Sequence, residues 1–245
     1  MTITIALAMR DVLIVLAALG FIALAGLFLY WQLVVAEGAY LGTRIVALLY
    51  DQFAPRYDRV KQYDKAGDAR MLAEPVLRHM RASFHPLAER ESGVRVLDVA
   101  TGTGRLPDAL LSQPRFTGHI VALDASAGML ALAHEKLRQH SDRIEFIQRD
   151  AHVLPYPDAA FDVVTCVEAL EFMRDWRGAT REMLRVLKPG GLLVLSNRIG
   201  PDAWKLPGRA VPTAIFCDWL RDAGVQRIER RAWLVDYDLV TGIKS

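Results

Sequence analysis

The chain has 245 residues, 30 Lys and Arg against 28 Asp and Glu, and a formal net charge of +2. That length holds one domain of ordinary size with a modest appendage, and so even a balance, with no basic patch interleaved with aromatics, excludes a nucleic-acid partner. The two cysteines, Cys166 and Cys217, stand far apart and in no ligand-like spacing, which points to a reducing compartment and no metal site.

Hydrophobic residues make up 52% of the chain and mean hydropathy is +0.17, an average raised by one segment. Residues 12–31 carry no charge, and twenty helical residues span a hydrocarbon core. Tyr30 and Trp31 close the run, where amphipathic rings favour the interface. The pattern predicts one transmembrane anchor within residues 1–36. A secretory signal would use Arg10 and a Val34-Val35-Ala36 cleavage site, but its apolar stretch would be too long; a buried core helix is the other alternative. Arg44, Arg56, Arg59 and Lys61 follow the span and only Arg10 and the amino terminus precede it, a bias toward a cytoplasmic carboxyl-terminal domain.

Leu41, Ile45, Leu48, Leu49 and Phe53 then recur at helical spacing among Arg44, Asp51 and Gln52. This predicts a helix over 41–53 that lies on the membrane or covers the domain. Residues 68–89 read as a further helix with a stripe of Met71, Leu72, Val76, Leu77, Met80 and Phe84, broken or kinked at Pro75. Glu91-Ser92-Gly93 is a turn. Residues 37–90 thus form a helical lid and connector, and 91–245 the core.

The core opens on the stretch that organises it. Val94, Val96, Leu97 and Val99 read as a parallel strand covered on both faces. Ala100, Gly102 and Gly104 follow at alternate positions, so the backbone can turn sharply and bring a ligand against bare main chain and the free N–H groups of the next helix, over about 106–113. Asp98 sets a carboxylate beside that ligand, which repels a phosphate and suits a cationic amine. A dinucleotide site would need Gly or Ala where Pro107 stands. Residues 120–124 form a second buried strand ending in Asp124, twenty-two residues beyond Gly102, the interval at which an acid reaches ribose hydroxyls. A helix cap is the alternative for Asp124, although Ser126 can serve as the cap. Residues 143–151 alternate as a third strand ending at Asp150, and 161–166 form a fourth. A helix over 176–187 stops at Lys188-Pro189-Gly190-Gly191, followed by a fifth strand over 192–196. Residues 199–212 are a loop in which Trp204, Lys205 and Arg209 can meet lipid headgroups. A helix over 213–224 and an antiparallel pair, 225–233 with 234–244, complete the chain.

Several of these stretches together resemble the class I S-adenosylmethionine-dependent methyltransferases of the ubiquinone/menaquinone type. Residues 98–104 are similar to the family's acid-x-G-x-G-x-G, with Ala100 in place of the first glycine. Residues 50–58 match Y-D-x-x-A-x-x-Y-D, Asp150-Ala151 a D-A pair, 154–164 the pattern L-P-x-x-x-x-x-F-D-x-V, and 187–191 the sequence L-K-P-G-G. The resemblance implies a doubly wound, Rossmann-like seven-stranded α/β sheet with an antiparallel last strand, here preceded by one transmembrane helix. It implies a methyl donor, S-adenosylmethionine, lying against Asp98, Ala100, Thr101, Gly102 and Gly104. Asp124 and Ala125 would meet the ribose, Met129 and the Asp150-Ala151 pair the adenine, Tyr57 would lie over the cofactor, and Glu168 would face its methionine end. Where many relatives have L-H-H-x-x-D, this chain has Glu171 and Phe172, so no histidine base carries over; Glu171, His152 and Glu168 are the candidates for a general base. The expected acceptor is a lipophilic small molecule such as a quinone, an isoprenoid or a lipid headgroup. A water-soluble metabolite is the alternative, as is a membrane-tethered module that binds the nucleoside without turnover.

Overall fold

The structure is a computed structural model and describes residues 2–61, 63–83 and 93–245. Residues 84–89 of the expected second helix, and Glu91 and Ser92 of the turn, lie outside them. Seven strands form one sheet in the order β3-β2-β1-β4-β5-β7-β6. β1 (Arg95–Val99), β2 (His119–Asp124), β3 (Ile144–Gln148), β4 (Phe161–Cys166) and β5 (Leu187–Arg198) run parallel. β7 (Tyr237–Lys244) inserts antiparallel between β5 and β6 (Val225–Trp233), so the terminal hairpin supplies the antiparallel strand as expected.

Successive strand residues feed opposite layers. Val96 and Val163 join a core closed by α4 (Glu74–Ser83) and α5 (Arg105–Leu111). Leu97 and Val164 join another closed by α7 (Trp176–Val186) and α8 (Thr213–Asp222). Burial on both faces is why these strands read as apolar runs rather than alternations.

Elements outside the sheet depart from expectation in instructive ways. α1 (Thr2–Tyr30) continues into a π-helical turn, Trp31–Val35. Met9–Val35 is long and apolar enough to cross a membrane, with a mean hydropathy of 2.9 and its most apolar stretch wholly exposed. The helix expected over 41–53 is longer: α2 (Thr43–Lys61) passes through Pro55 and contains the whole Y-D-x-x-A-x-x-Y-D segment. The helix expected from residue 68 is instead a short α3 (Lys65–Asp68), a π-helical turn (Ala69–Ala73) and α4. Pro75 follows just after the π-helical turn, so the break expected there is this local change within a continuous helical run and not an end of the helix. β5 begins at Leu187, before the glycines. Phe161 pairs with Leu187 and Val163 with Leu192, so residues 188–191 bulge out of the parallel ladder. That bulge needs Gly191, whose Cβ would come within 2.9 Å of the Asp162 carbonyl oxygen. The Lys188 ammonium donates to Asp162 Oδ1 at 2.8 Å, and Asp162 Oδ2 accepts the Arg95 N–H at 3.0 Å. The F-D and L-K-P-G-G signatures are thus partners in one structural lock.

Candidate active site

A cleft of about 910 Å³, open mouth included, lies over the carboxyl ends of the strands beneath α2, the place where doubly wound sheets bind ligands. One half is main chain and acid. Ala100, Thr101 and Gly102 line it at the tip of β1, Asp124, Ala125 and Ser126 at the tip of β2, and Asp150, Ala151 and His152 beyond β3. β3 ends at Gln148, so Asp150 sits in the following turn rather than on the strand.

The glycine-rich turn is held by the acids around it. Asp124 Oδ2 accepts the Gly102 N–H at 2.8 Å and Oδ1 the Ser126 N–H at 2.9 Å. Burial raises the Asp124 carboxyl above its usual range, against the pull of these N–H groups. Ser126 is the N-cap of α6 (Ala127–Leu137), accepting the Met129 N–H at 3.1 Å, so the cap of that helix is not Asp124. Ala100 has φ of 56°, which explains why glycine is usual there: an L-residue in the left-handed region costs about 1–2 kcal/mol. Asp98 lies under the turn, 1% exposed. The Thr165 hydroxyl donates to its Oδ1 at 2.6 Å, while Oδ2, like Thr101 Oγ, is buried without a hydrogen-bond partner. Burial pushes the Asp98 carboxyl up to about 6, against the pull of the Thr165 and Thr101 hydroxyls beside it. A buried orphan oxygen beside bare main chain fits a ligand that brings its own donor. The residues present therefore fit S-adenosylmethionine, whose amine, ribose hydroxyls and adenine amine each bring a donor to a site edged by carboxylates.

The other half of the cleft is aromatic, with Tyr50, Tyr57, Tyr63, Phe172 and Met173 on its wall. Burial first, and the surrounding acids after it, hold the phenols of Tyr50 and Tyr57 well above their usual range; these rings are protonated walls, not bases. The seven-residue spacing within α2 explains the Y-D pairs. Seven residues make about two turns, so both tyrosines turn into the cleft while both acids turn to its rim. Asp51 Oδ1 accepts the Ser126 hydroxyl at 2.5 Å and the Gly128 N–H at 2.8 Å, setting a carboxylate at the amino end of α6. Asp58 accepts the Thr103 hydroxyl at 2.5 Å and pairs with the Lys136 ammonium at 2.5 Å. Lys61, at the end of α2, pairs with Glu168 Oε2 at 2.6 Å. α2 is thus pinned along its length to α6, the 100–104 turn and Glu168.

Four expected site residues stand away from the cleft wall, the first being Asp98, which lies buried under the turn and is absent from the lining. Gly104, at φ of 82°, serves close packing: its Cβ would come within 2.9 Å of Leu137 Cδ1 on α6. Met129 is buried in α6 at 1% exposure and is absent from the lining. Glu171 is likewise buried behind the wall, accepting from the Tyr237 hydroxyl and pairing with Arg198 at 3.4 Å. Burial raises its carboxyl against those partners. His152 does line the cleft, but Nδ1 meets Asp150 Oδ1 at 2.6 Å and Nε2 accepts the Asp175 N–H at 3.4 Å. Although burial raises the Asp150 carboxyl, the His152 contacts outweigh it and hold the group below its usual range. Glu168 lines the cleft at φ of 54°, with its oxygens engaged by Lys61 and Arg105. Arg105 was not singled out in the sequence. It binds Asp68 through Nε at 2.9 Å and Nη2 at 2.6 Å and is stacked 4.5 Å from the Tyr63 ring and 4.8 Å from that of Trp233. No sequence signal marks it, because its partners lie 37 and 63 residues away.

Comparison with known proteins agrees with this geometry. Residues 97–195 match the methyltransferase domain family. The chain is 36% identical over 148 residues to the demethylmenaquinone methyltransferase of Thermus thermophilus, covering 60% of this chain and 63% of that protein. It is 35% identical over 160 residues to the ubiquinone/menaquinone biosynthesis C-methyltransferase of Hahella chejuensis, covering 61% and 58%. The chain thus spans about three fifths of the length of these relatives. Among solved structures, the [4+2]-cyclase SpnF superposes with a TM-score of 0.62 at 24% identity, over 83% of this chain and 96% of that one; this likeness is one of fold.

Proposed function

We propose that the protein is a membrane-anchored S-adenosylmethionine-dependent methyltransferase acting on a lipophilic small molecule, a quinone, an isoprenoid or a lipid headgroup. The observation that carries this reading is the division of one cleft into a polar half built on strand tips and an aromatic half built on α2 and Phe172. The names of the relatives, quinone-biosynthesis methyltransferases, support the acceptor class. The exposed apolar helix supports the anchor, and the cations Arg44, Arg56 and Arg59 that follow it support a cytoplasmic domain.

S-adenosylmethionine, when bound, supplies a methyl group already activated on a sulfonium. The chain's task is then to align an acceptor and exclude water. Asp98 and Asp124 hold the polar end; Tyr50, Tyr57 and Phe172 offer flat, apolar surfaces to a ring. His152 and Glu168 reach the cleft with their polar atoms engaged and Glu171 does not reach it. The arrangement therefore suits an acceptor whose nucleophilic atom is already free of its proton, so that any proton released after the methyl group transfers passes to solvent rather than to a base of the protein.

The test offers the full chain in lipid vesicles two ring acceptors, one bearing a prenyl tail and one without it. Faster methylation of the tailed compound is expected; equal or faster methylation of the tail-less, water-soluble compound would overturn the acceptor class.

A further inference from the structure

Outside α1, the large apolar side chains left exposed are not scattered. Leu41, Leu48, Phe53 and Val60 lie on or beside α2, which covers the carboxyl ends of the strands. Val153 follows β3, Trp204 follows β5 and is 76% exposed, and Leu234 and Val235 form the turn after β6, Val235 at 82%. Ile215, in the first turn of α8, follows β5 on the same side. The opposite edge differs: among the described residues, the loops 112–118, 138–143 and 188–191 at the amino ends of β2, β3 and β5 expose no large apolar side chain. Single exposed apolar residues mean little, but their gathering on one face does.

The apolar helix leaves from that same face and is fastened to it. Trp31 Nε1 donates to the Lys205 carbonyl at 3.1 Å, and the Tyr40 hydroxyl to the Pro207 carbonyl at 2.8 Å. Arg209 does not reach outward to headgroups as its sequence context allowed; it donates to the Ala39 and Met173 carbonyls at 2.8 and 2.5 Å. Ala36, Ala39 and Leu206 close a small core against Trp31, Tyr40 and Phe172, and Phe172 is also a wall of the cleft. The charge on α2 is sorted too: Asp51 and Asp58 turn inward to α6 and Thr103, whereas Arg44, Arg56 and Arg59 are exposed and pair with no carboxylate among the described residues.

We propose that the carboxyl-end face of the sheet is a second membrane-contact surface, seated on an anionic phospholipid leaflet beside the anchor. Leu48, Trp204 and Val235 enter the interface, and the α2 arginines meet the headgroups. The anchor is then a docked element and not a tether, and the cleft mouth opens toward the lipid. This rests on the reading of Met9–Val35 as a membrane span.

Spin labels on single cysteines in the full chain, reconstituted into phosphatidylcholine vesicles with and without phosphatidylglycerol, test the proposal; Cys166 and Cys217 are buried and stay unlabelled. Sites are Leu48→Cys and Val235→Cys, with Gly20→Cys reporting the anchor and Ser141→Cys the opposite edge. With phosphatidylglycerol present, collision with oxygen relative to a water-soluble nickel chelate should be severalfold higher at Leu48→Cys and Val235→Cys than at Ser141→Cys. At Leu48→Cys it should fall back without the anionic lipid or in high salt. Lipid-like values at Gly20→Cys with water-like values at Leu48→Cys and Val235→Cys would overturn the contact face and leave the anchor standing. Water-like values at Gly20→Cys as well would overturn both. Dipolar broadening between labels at a water-like Val235→Cys would assign the face to a second copy of the chain and also overturn it.

Discussion

The two halves of the cleft are built by different means. The cofactor half rests on strand tips: Asp98, Asp124 and the 100–104 turn are placed by β1 and β2, whose register is fixed by apolar residues buried on both faces. The aromatic half is assembled at long range, from α2 pinned by Asp51, Asp58 and Lys61, from Phe172 held against Ala36 and Ala39 at the end of the apolar helix, and from Arg105 joining Asp68 to Glu168. The first half is therefore set by the folding of the sheet, whereas the second depends on a few polar ties that single substitutions can cut.

The largest expected effect is on that second half. Arg105→Met keeps the bulk between Tyr63 and Trp233 but strands the Asp68 carboxylate, whose side chain is 7% exposed, and leaves Glu168, at 9%, with Lys61 alone. Breaking a buried pair in this way costs about 3–5 kcal/mol, to be read as a lower urea midpoint; an unchanged midpoint would mean the network contributes nothing to holding the lid.

On the first half, Asp98 gives a pH signature. Its folded carboxyl is raised from 3.8 to about 6, so the fold prefers the neutral form. The associated stability, about 3 kcal/mol at 1.36 kcal/mol per pKa unit, is fully present below pH 3.8 and is lost as the pH rises through 6. Asp98→Asn should remove that part of the pH dependence in denaturant titrations. Cofactor affinity has the opposite sign: it should weaken as the pH falls through 6 in the native chain and not in the variant.

Asp124→Ala removes the acceptor of two backbone N–H groups along with the carboxylate proposed to meet the ribose. At about 1.5–3 kcal/mol for a charged hydrogen bond, binding of S-adenosylmethionine should weaken on the order of 100-fold by calorimetry, while β1 and β2 stay paired. The smallest effect is at Ala100. Glycine there relieves about 1–2 kcal/mol of left-handed strain against about 0.5–1 kcal/mol of chain entropy, a net gain of about 0.5 kcal/mol visible as a slightly raised melting temperature.

The same contrast decides what could be read from the sequence. The strand positions and the 98–104 turn were legible because burial and turning are written in adjacent residues, and Asp124 because a fixed interval separates it from Gly102. Tyr57 was legible only through a motif; the reason for that motif, that Asp51 and Asp58 face α6, needed the packing. Arg105 left no trace because its partners are far away in the chain. Glu171 misled because its position after β4 does not reveal that Tyr237, on the inserted strand, and Arg198 draw it behind the wall. Met129 follows the same lesson, since one turn into α6 is near the cleft in sequence yet its side chain belongs to the buried layer.

The central claim is tested most directly by following label. The full chain in vesicles made from native lipid extract is given S-adenosylmethionine carrying a labelled methyl group, with Asp124→Ala alongside, and the products are divided between organic and aqueous phases. Label entering the organic phase with the native chain, and not with the variant, is the predicted result. Label confined to aqueous products, or no transfer from a chain that binds the cofactor, would contradict the account.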